Sequence, residues 1–591
     1  MAAFLIISGA EGAKRVLDDA RRDAVIRAMH ERSGGAVTEL AVPEATGWHC
    51  GRDGTLAVHD GVLIAVDGVP SIITSRSANG IPPRLTAADW CGLGKDLLPS
   101  LDGGFALAAY DPASGELVLA RDRFGVRPLF WARRDGLIYA ASEVKILAAA
   151  GIDLRVSAEA LQEVLACRWL VRDRSLFDAV RQVPAASCLV SGPGVEPSVR
   201  RYWQLQFSPE PVGLDALHHY RDEARGAMRS AILEIAGERQ VVGVLLSGGV
   251  DSSVIAAAAR EVVGRVVGFA GRLPGDSNQE LDRAAIVARH LGIECRVVDI
   301  QLPDFDGDLR ALVRRMEEPP RHPNNFLLQQ LFRRASAEVD LVLEGDGAEM
   351  LFGLADVGRV GQFRAKHDFV RHLPQAWRVA GARALRSFDG SWATRLSKVL
   401  AWNPNQYAAM LDAVGYSRAV RRTLDASTAG VSPGFLPLEY FSRSEDFSDA
   451  LQAYQLYTFA AVSLVRHDRL AQPFGLSSES PFLRGPIVDL ASRMPRELRY
   501  LDGSKPVLKA LCDLYLPAEV SRWPKLGFPV PWQAWMRNAL PNGVAATEVL
   551  DEVLPPGWLA AANASHDAEA LWTALTLQAA IVEMGATASP I

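Results

Sequence analysis

The sequence predicts two domains of different build. Residues 1–205 read as an antiparallel, β-rich sandwich. Beyond a linker at 206–215, residues 216–591 read as an α/β domain with a parallel sheet and a large helical region. Three observations carry that expectation. At 591 residues the chain exceeds what one ordinary hydrophobic core holds, so it divides into domains. Its first third is a series of short apolar or alternating runs closed by Gly, Asp or Pro, as antiparallel strands are. From about residue 215 strand-like runs alternate with helical stretches, the order of parallel strands joined by right-handed crossovers.

The elements follow in order. FLIIS (4–8), TLAVHDG (55–61), VLIAVDG (62–68), GFALAAYD (104–111), ELVLARD (116–122) and LIYAASE (137–143) are the strand runs of the first domain. Arg201-Tyr202-Trp203 closes it, and the prolines of FSPEPVG (207–213) suit a linker. HHYRDEARGAMRSAILEIA (218–236) has the periodicity of a helix, and VVGVLLS (241–247), RVVGFAG (265–271), ECRVVDI (294–300) and DLVLEGD (340–346) are buried-strand runs. After residue 355 the pattern is helical to the end. Residues 357–400 carry nine Lys or Arg against two acids, which suits a solvated helical face or a docking surface for an anionic partner.

Bulk properties limit the function. With 49% hydrophobic and 22% charged residues the composition is that of a globular enzyme. A net charge of -6 argues against general binding of nucleic acid. The six cysteines (Cys50, Cys91, Cys167, Cys188, Cys295 and Cys512) form no CxxC pair, which suits reduced thiols in a cytoplasmic protein. The first residues lack a basic segment before FLII, so no signal peptide is expected. No stretch approaches the roughly 20 apolar residues that span a bilayer, so no membrane insertion is expected.

The most informative stretch is VVGVLLSGGVDSSVIAAAA (241–259), a strand, two glycines and a helix. In α/β sheets ligands sit beyond the carboxyl ends of strands, where the next helix presents unpaired N–H groups and the positive end of its dipole. Gly248 and Gly249 would let a phosphate approach the backbone, and Ser247, Ser252 and Ser253 would add hydroxyl donors. Asp251, an acid in an anion cradle, calls for a cation such as Mg²⁺. No Lys follows the glycines, so the Walker A pattern is absent. SGGVDSS resembles instead the loop of the ATP pyrophosphatase superfamily, which cleaves ATP between the α and β phosphates.

A second acidic loop, Gly345-Asp346-Gly347-Ala348-Glu349-Met350, follows the run LVLEG. Acids there would supply metal ligands or a general base. Together with SNQELDR (277–283), RHDRLAQPFGLSSESPFL (466–483) and SRWPKLGFPVPWQAW (521–535), it resembles the asparagine synthetase family, which includes β-lactam synthetases and lasso-peptide cyclases. The resemblance implies an ATP-pyrophosphatase domain over 216–591. It makes Ser247, Gly248, Gly249, Asp251, Ser252, Ser253 and Gly345 the ATP site, Asp251 and Glu349 the Mg²⁺ ligands, and Asp346 and Lys525 catalytic. A fixed ammonium at Lys525 would stabilise charge in the transition state. The chain departs from asparagine synthetases at Asp346 and Glu349, which exchange Glu and Asp. It also departs at Met350, which replaces an acid, and around Ser477 and Glu479, where an Arg expected to hold aspartate is missing.

The first domain also has a family look. DGGFALAAYD (102–111), LARDRFGVRPLFWARRDGLIYAASEVKIL (119–147) and the RYW at 201–203 resemble the class II glutamine amidotransferase domain. Such a domain uses an N-terminal Cys as nucleophile. Here Met1-Ala2-Ala3-Phe4 opens the chain, the nearest cysteine is Cys50, and AVDGVPSII (65–73) replaces the glutamine-binding segment. Residues 1–205 are therefore expected to be a degenerate amidotransferase-like domain without glutaminase activity.

The resemblance thus implies an AMP-forming, amide-bond-forming ligase that uses ATP and Mg²⁺ and takes its amine from the substrate. The leading expectation is a lasso-peptide cyclase, or isopeptide synthetase, of antibiotic biosynthesis. It would adenylate an Asp or Glu side chain of a precursor peptide, and the peptide's N-terminal amine would then close a macrolactam. A leader peptidase and a leader-recognition partner would accompany it. The alternatives are a β-lactam or other small-molecule amide synthetase, an ammonia-dependent asparagine synthetase, and a non-catalytic scaffold.

Overall fold

A computed structural model describes residues 2–9, 17–73, 82–170, 174–211, 215–274, 279–304, 306–385, 388, 391–409, 416–417, 419–420, 423, 441, 446–500, 504–526 and 531–587. Parts of sequence segments named above lie outside them: Met1, residues 212–214 of the linker, 277–278 of SNQELDR, 386–387 and 389–390 of the basic region and 527–530 after Lys525.

The first domain is built on two antiparallel sheets. Its strands are β1 (Ala2–Ser8), β2 (Val37–Val42), β3 (Ala45–Gly51), β4 (Gly54–His59), β5 (Val62–Gly68), β6 (Phe105–Asp111), β7 (Glu116–Arg121), β8 (Phe130–Arg134), β9 (Leu137–Ala141), β10 (Val180–Gln182), β11 (Ser187–Gly192) and β12 (Val195–Arg201). One sheet runs β10-β8-β9-β1-β3-β2 and the other β12-β11-β7-β6-β5-β4. Alternate side chains of facing strands, among them Phe4, Ile6, Leu63, Ala65, Ala106 and Ala108, fill the space between them. The other face of the first sheet is covered by helix α1 (Asp19–Arg32), whose Val25 and Met29 are buried against it.

The second domain has five parallel strands, β13 (Val241–Leu245), β14 (Arg265–Arg272), β15 (Glu294–Asp299), β16 (Leu341–Leu343) and β17 (Ser477–Glu479), in the order β15-β14-β13-β16-β17. Helices cover both faces, as an all-parallel sheet requires. The ones that matter below are α2 (Ala216–Ala236), α3 (Val250–Val262), α4 (Gln279–Leu291), α5 (Ala348–Phe352), α6 (Asp356–Val370), α7 (Gln375–Leu385), α8 (Ser391–Ala401), α9 (Ala461–Ala471), α10 (Pro506–Tyr515) and α11 (Ala568–Glu583). The strand order reverses between β13 and β16, so the ends of those two strands open a crevice, the position at which such sheets bind ligands.

The two domains share a core. One buried apolar cluster runs from Leu5 and Leu147 through Leu312 and Phe332 to Trp558 and Trp572. The last described residues return to the first domain, where Thr587 N–H donates to Leu154 O at 2.9 Å and Val156 N–H to Thr587 O at 3.0 Å. An apolar junction of this kind fixes the relative orientation of its two parts. No helix of the described residues is long and apolar enough to cross a membrane.

Candidate active site

The crevice between β13 and β16 is a cavity of about 890 Å³. On its first side β13 runs into the serine-glycine loop and then into α3, whose N-cap is Gly249. The loop is held by its own hydroxyls: Ser247 N–H donates to Ser252 Oγ at 3.3 Å, Gly249 N–H donates to Ser247 Oγ at 3.3 Å, and the two hydroxyls lie 3.1 Å apart. Ser247, Gly249, Asp251 and Ser252 line the cavity. Gly248 has another role. Its φ is +73° and a Cβ there would lie 2.4 Å from Cβ of Arg283, so this glycine lets α4 pack against the loop. Ser253 is fully buried and its hydroxyl makes no hydrogen bond among the described residues, so it is not one of the hydroxyls that line the cavity.

On the second side, β16 leads into Gly345, Asp346 and Glu349. A Cβ at Gly345 would lie 3.2 Å from that of Asp251, so a glycine here brings the two acidic loops together. Lys505 sits between their carboxylates. Its Nζ donates to both oxygens of Asp251 at 2.9 and 2.8 Å and lies 3.6 Å from Glu349 Oε1. Lys525 Nζ donates to the same Glu349 oxygen at 2.6 Å while staying 68% exposed. Burial works against the charge on Glu349, yet Lys505 and Lys525 hold its carboxyl below the ordinary range. Burial likewise opposes the Lys505 ammonium, and Asp251 and Glu349 raise its pKa. The segment bearing Lys525 is anchored by α4: Arg283 donates to Pro524 O at 2.7 Å and lies over the Trp523 ring at 5.1 Å.

Asp346 belongs to a separate polar cluster. It accepts from Ser463 Oγ at 2.6 Å on one carboxylate oxygen, and its backbone carbonyl accepts from Ser480 Oγ at 2.5 Å. His467 Nδ1 lies 3.4 Å from Glu344 Oε2 and 3.6 Å from Asp346 Oδ2. These three side chains offer ligand atoms within 4.8 Å of one another. Burial, with Asp346 beside it, pushes the Glu344 carboxyl up. Burial would raise Asp346 too, but His467 and Arg466 outweigh it and hold Asp346 below the usual range. One carboxylate that stays ionised thus neighbours one that retains a proton more readily, an arrangement suited to moving protons.

The donor set of the first cluster fits a divalent cation. Asp251 and Glu349 are both ionisable, both face the cavity and both lie within reach of one ammonium. Lys505, Glu344, Ser463, Arg466 and His467 were not among the sequence candidates. Ser463, Arg466 and His467 lie on α9, distant in sequence from the acidic loops; Arg466 and His467 open the segment 466–483 that resembles the family, while Ser463 precedes it. Lys505 had a signal: it precedes Pro506 at the first turn of α10, with φ at 59°.

In the first domain, the segment expected to have lost its glutamine site is packed with ion pairs. Arg32 is fully buried and reaches Asp67 at 2.6 Å, Asp468 at 3.0 Å and Glu143 at 3.1 Å. Arg127 binds Asp468 as well and lies 3.2 Å from Glu479. Glu479 also pairs with Arg484 at 3.2 Å, so this acid serves the domain junction. Cys50 is buried in β3, where its thiol donates to Ser33 O at 3.1 Å and burial pushes its pKa up. Both changes oppose a thiolate nucleophile.

Comparison with known proteins agrees with this geometry. A family model described as asparagine synthase matches residues 223–580, and one described as a glutamine amidotransferase domain matches residues 85–203. The chain is 26% identical to glutamine-hydrolysing asparagine synthetase 1 of Bacillus subtilis, over 74% of this chain and 70% of that protein. It is 26% identical to the glutamine-hydrolysing asparagine synthetase B of Escherichia coli over 44% of each. It is 27% identical to a protein of Penicillium rubens named amidase chyE, over 45% of this chain and 42% of that one.

Proposed function

The chain belongs to the asparagine synthase family and is an ATP-dependent amide-forming ligase, and from that premise we propose that it closes a macrolactam in a lasso-peptide precursor. In this reading the enzyme adenylates an Asp or Glu side chain of the peptide. The peptide's own N-terminal amine then displaces AMP. One observation carries the claim that the amine travels with the substrate. Asp67, in the segment that replaces the glutamine-binding one, is engaged by the buried Arg32 ion cluster, while the cavity at β13 and β16 keeps its carboxylates and lysines.

Each step falls to named groups. Ser247, Ser252 and the N–H groups at the start of α3 hold the pyrophosphate of ATP. Asp251 and Glu349 would hold Mg²⁺, which neutralises charge on a leaving pyrophosphate. Lys505 keeps these two carboxylates together, and Lys525, exposed at the rim, reaches toward the α-phosphate and the charge developing on the acyl group. Asp346 stays ionised, holds the incoming ammonium and accepts its proton, with His467 and Glu344 behind it. Holding amine and acyl-adenylate in one cavity makes their reaction effectively unimolecular.

The test pairs the enzyme with ATP and a synthetic precursor peptide that carries a free N-terminal amine and an Asp or Glu side chain at ring-closing distance. Asp251→Ala should abolish AMP formation while the circular dichroism spectrum stays that of the parent. A variant that still forms AMP at the parent rate contradicts the assignment.

A further inference from the structure

The basic helical region 357–400 presents its large side chains the wrong way round for a free surface. Helix α8 turns the small residues Ala393 and Ser397 inward and Trp392 and Leu396 outward. Helix α7 packs against α8 and buries only Ala382 among its described side chains. Phe369 at the end of α6 is 88% exposed, Trp377 71%, and Phe388 and Trp392 59% each. Single exposed apolar residues are ordinary, but four exposed aromatics on one helical hairpin and the helix before it mark a face that is covered in use.

The charge around them identifies the cover. Arg364, Lys366, Arg383 and Arg395 are exposed on the same three helices, and Arg371 is exposed at the cap that ends α6. Over residues 357–400 the sequence holds nine Lys or Arg and two acids, in a chain whose net charge is -6. The exposed aromatics Phe369, Trp377, Phe388 and Trp392 are thus interspersed along the chain with the exposed cations Arg371, Arg383 and Arg395. Trp and Phe among flexible cations suit the boundary of a bilayer, where rings lie at the headgroups and Lys or Arg reach the phosphates.

We propose that α7, α8 and the end of α6 form a peripheral docking surface for an anionic lipid bilayer, bound in the plane of the membrane without crossing it. The proposal is independent of the substrate assigned above. It is tested on the full chain by co-sedimentation with vesicles of phosphatidylcholine and phosphatidylglycerol, and with vesicles of phosphatidylcholine alone, at physiological ionic strength. The expected result is binding to the anionic vesicles that is about tenfold or more tighter than to the neutral ones. The double variants Trp377→Ser with Trp392→Ser, and Arg383→Glu with Arg395→Glu, should each lose most of it while melting as the parent does, because all four side chains are exposed. Absence of binding to anionic vesicles overturns the proposal, as does equal binding by the variants. An acidic protein that occupies this face in a chain without vesicle affinity overturns it too and makes the face a protein interface.

Discussion

Lys505 holds Asp251 and Glu349 at once and so joins the two acidic loops into one site. Without it, two carboxylates would face each other in a crevice that offers them little water. Lys505→Met should therefore lower the rate of AMP formation by about a hundredfold or more. Rate assays beside calorimetric titration with ATP check this, and a variant of parental rate contradicts the role. Much of this site was legible in the sequence, because a phosphate cradle and its acids are contiguous motifs: Ser247, Gly249, Asp251, Ser252, Asp346 and Glu349 all line one cavity. What the motif reading missed was long-range. His467 and Ser463 meet Asp346 because α9 packs against β17, the strand beside β16, which no local sequence pattern encodes. Ser253 shows the converse limit, since a short motif does not reveal which of two neighbouring serines points into the protein.

The loop between β13 and α3 depends on its glycines for different reasons than phosphate access alone. Gly248 adopts a positive φ and meets Arg283 of α4, so Gly248→Ala forces both an unfavourable backbone conformation and a collision. The expected cost is roughly 1–3 kcal/mol, read as a lower midpoint in urea denaturation. An unchanged midpoint would contradict the packing role. Strands β1, β4–β7, β9 and β13–β16 were readable because alternation and buried runs are local. β2, β3, β8 and β10–β12 were not, and neither was β17, which is three residues long and among the described residues pairs with β16. Glu479 of β17 spends its carboxylate on Arg127 and Arg484.

The domains are tied together by apolar packing and by the buried cluster of Arg32, Asp67, Glu143, Asp468 and Arg127. Asp468 follows His467 on α9, so the first domain grips the helix that carries the cluster around Asp346. Removing one member leaves buried charge unpaired. Arg32→Met should cost about 3–5 kcal/mol, and adding Asp67→Asn should recover part of it. Equilibrium denaturation of both variants checks this, and a stable single variant contradicts it. The first domain thus braces the helix that carries the cluster around Asp346. The decisive measurement follows the products of the parent enzyme incubated with ATP, Mg²⁺ and the proposed class of precursor peptide, with and without glutamine. AMP and a peptide lighter by one water should appear in equal amounts, with no glutamate released. Production of ADP, or glutamate released in step with product, would contradict ATP-driven amide formation with a substrate-borne amine.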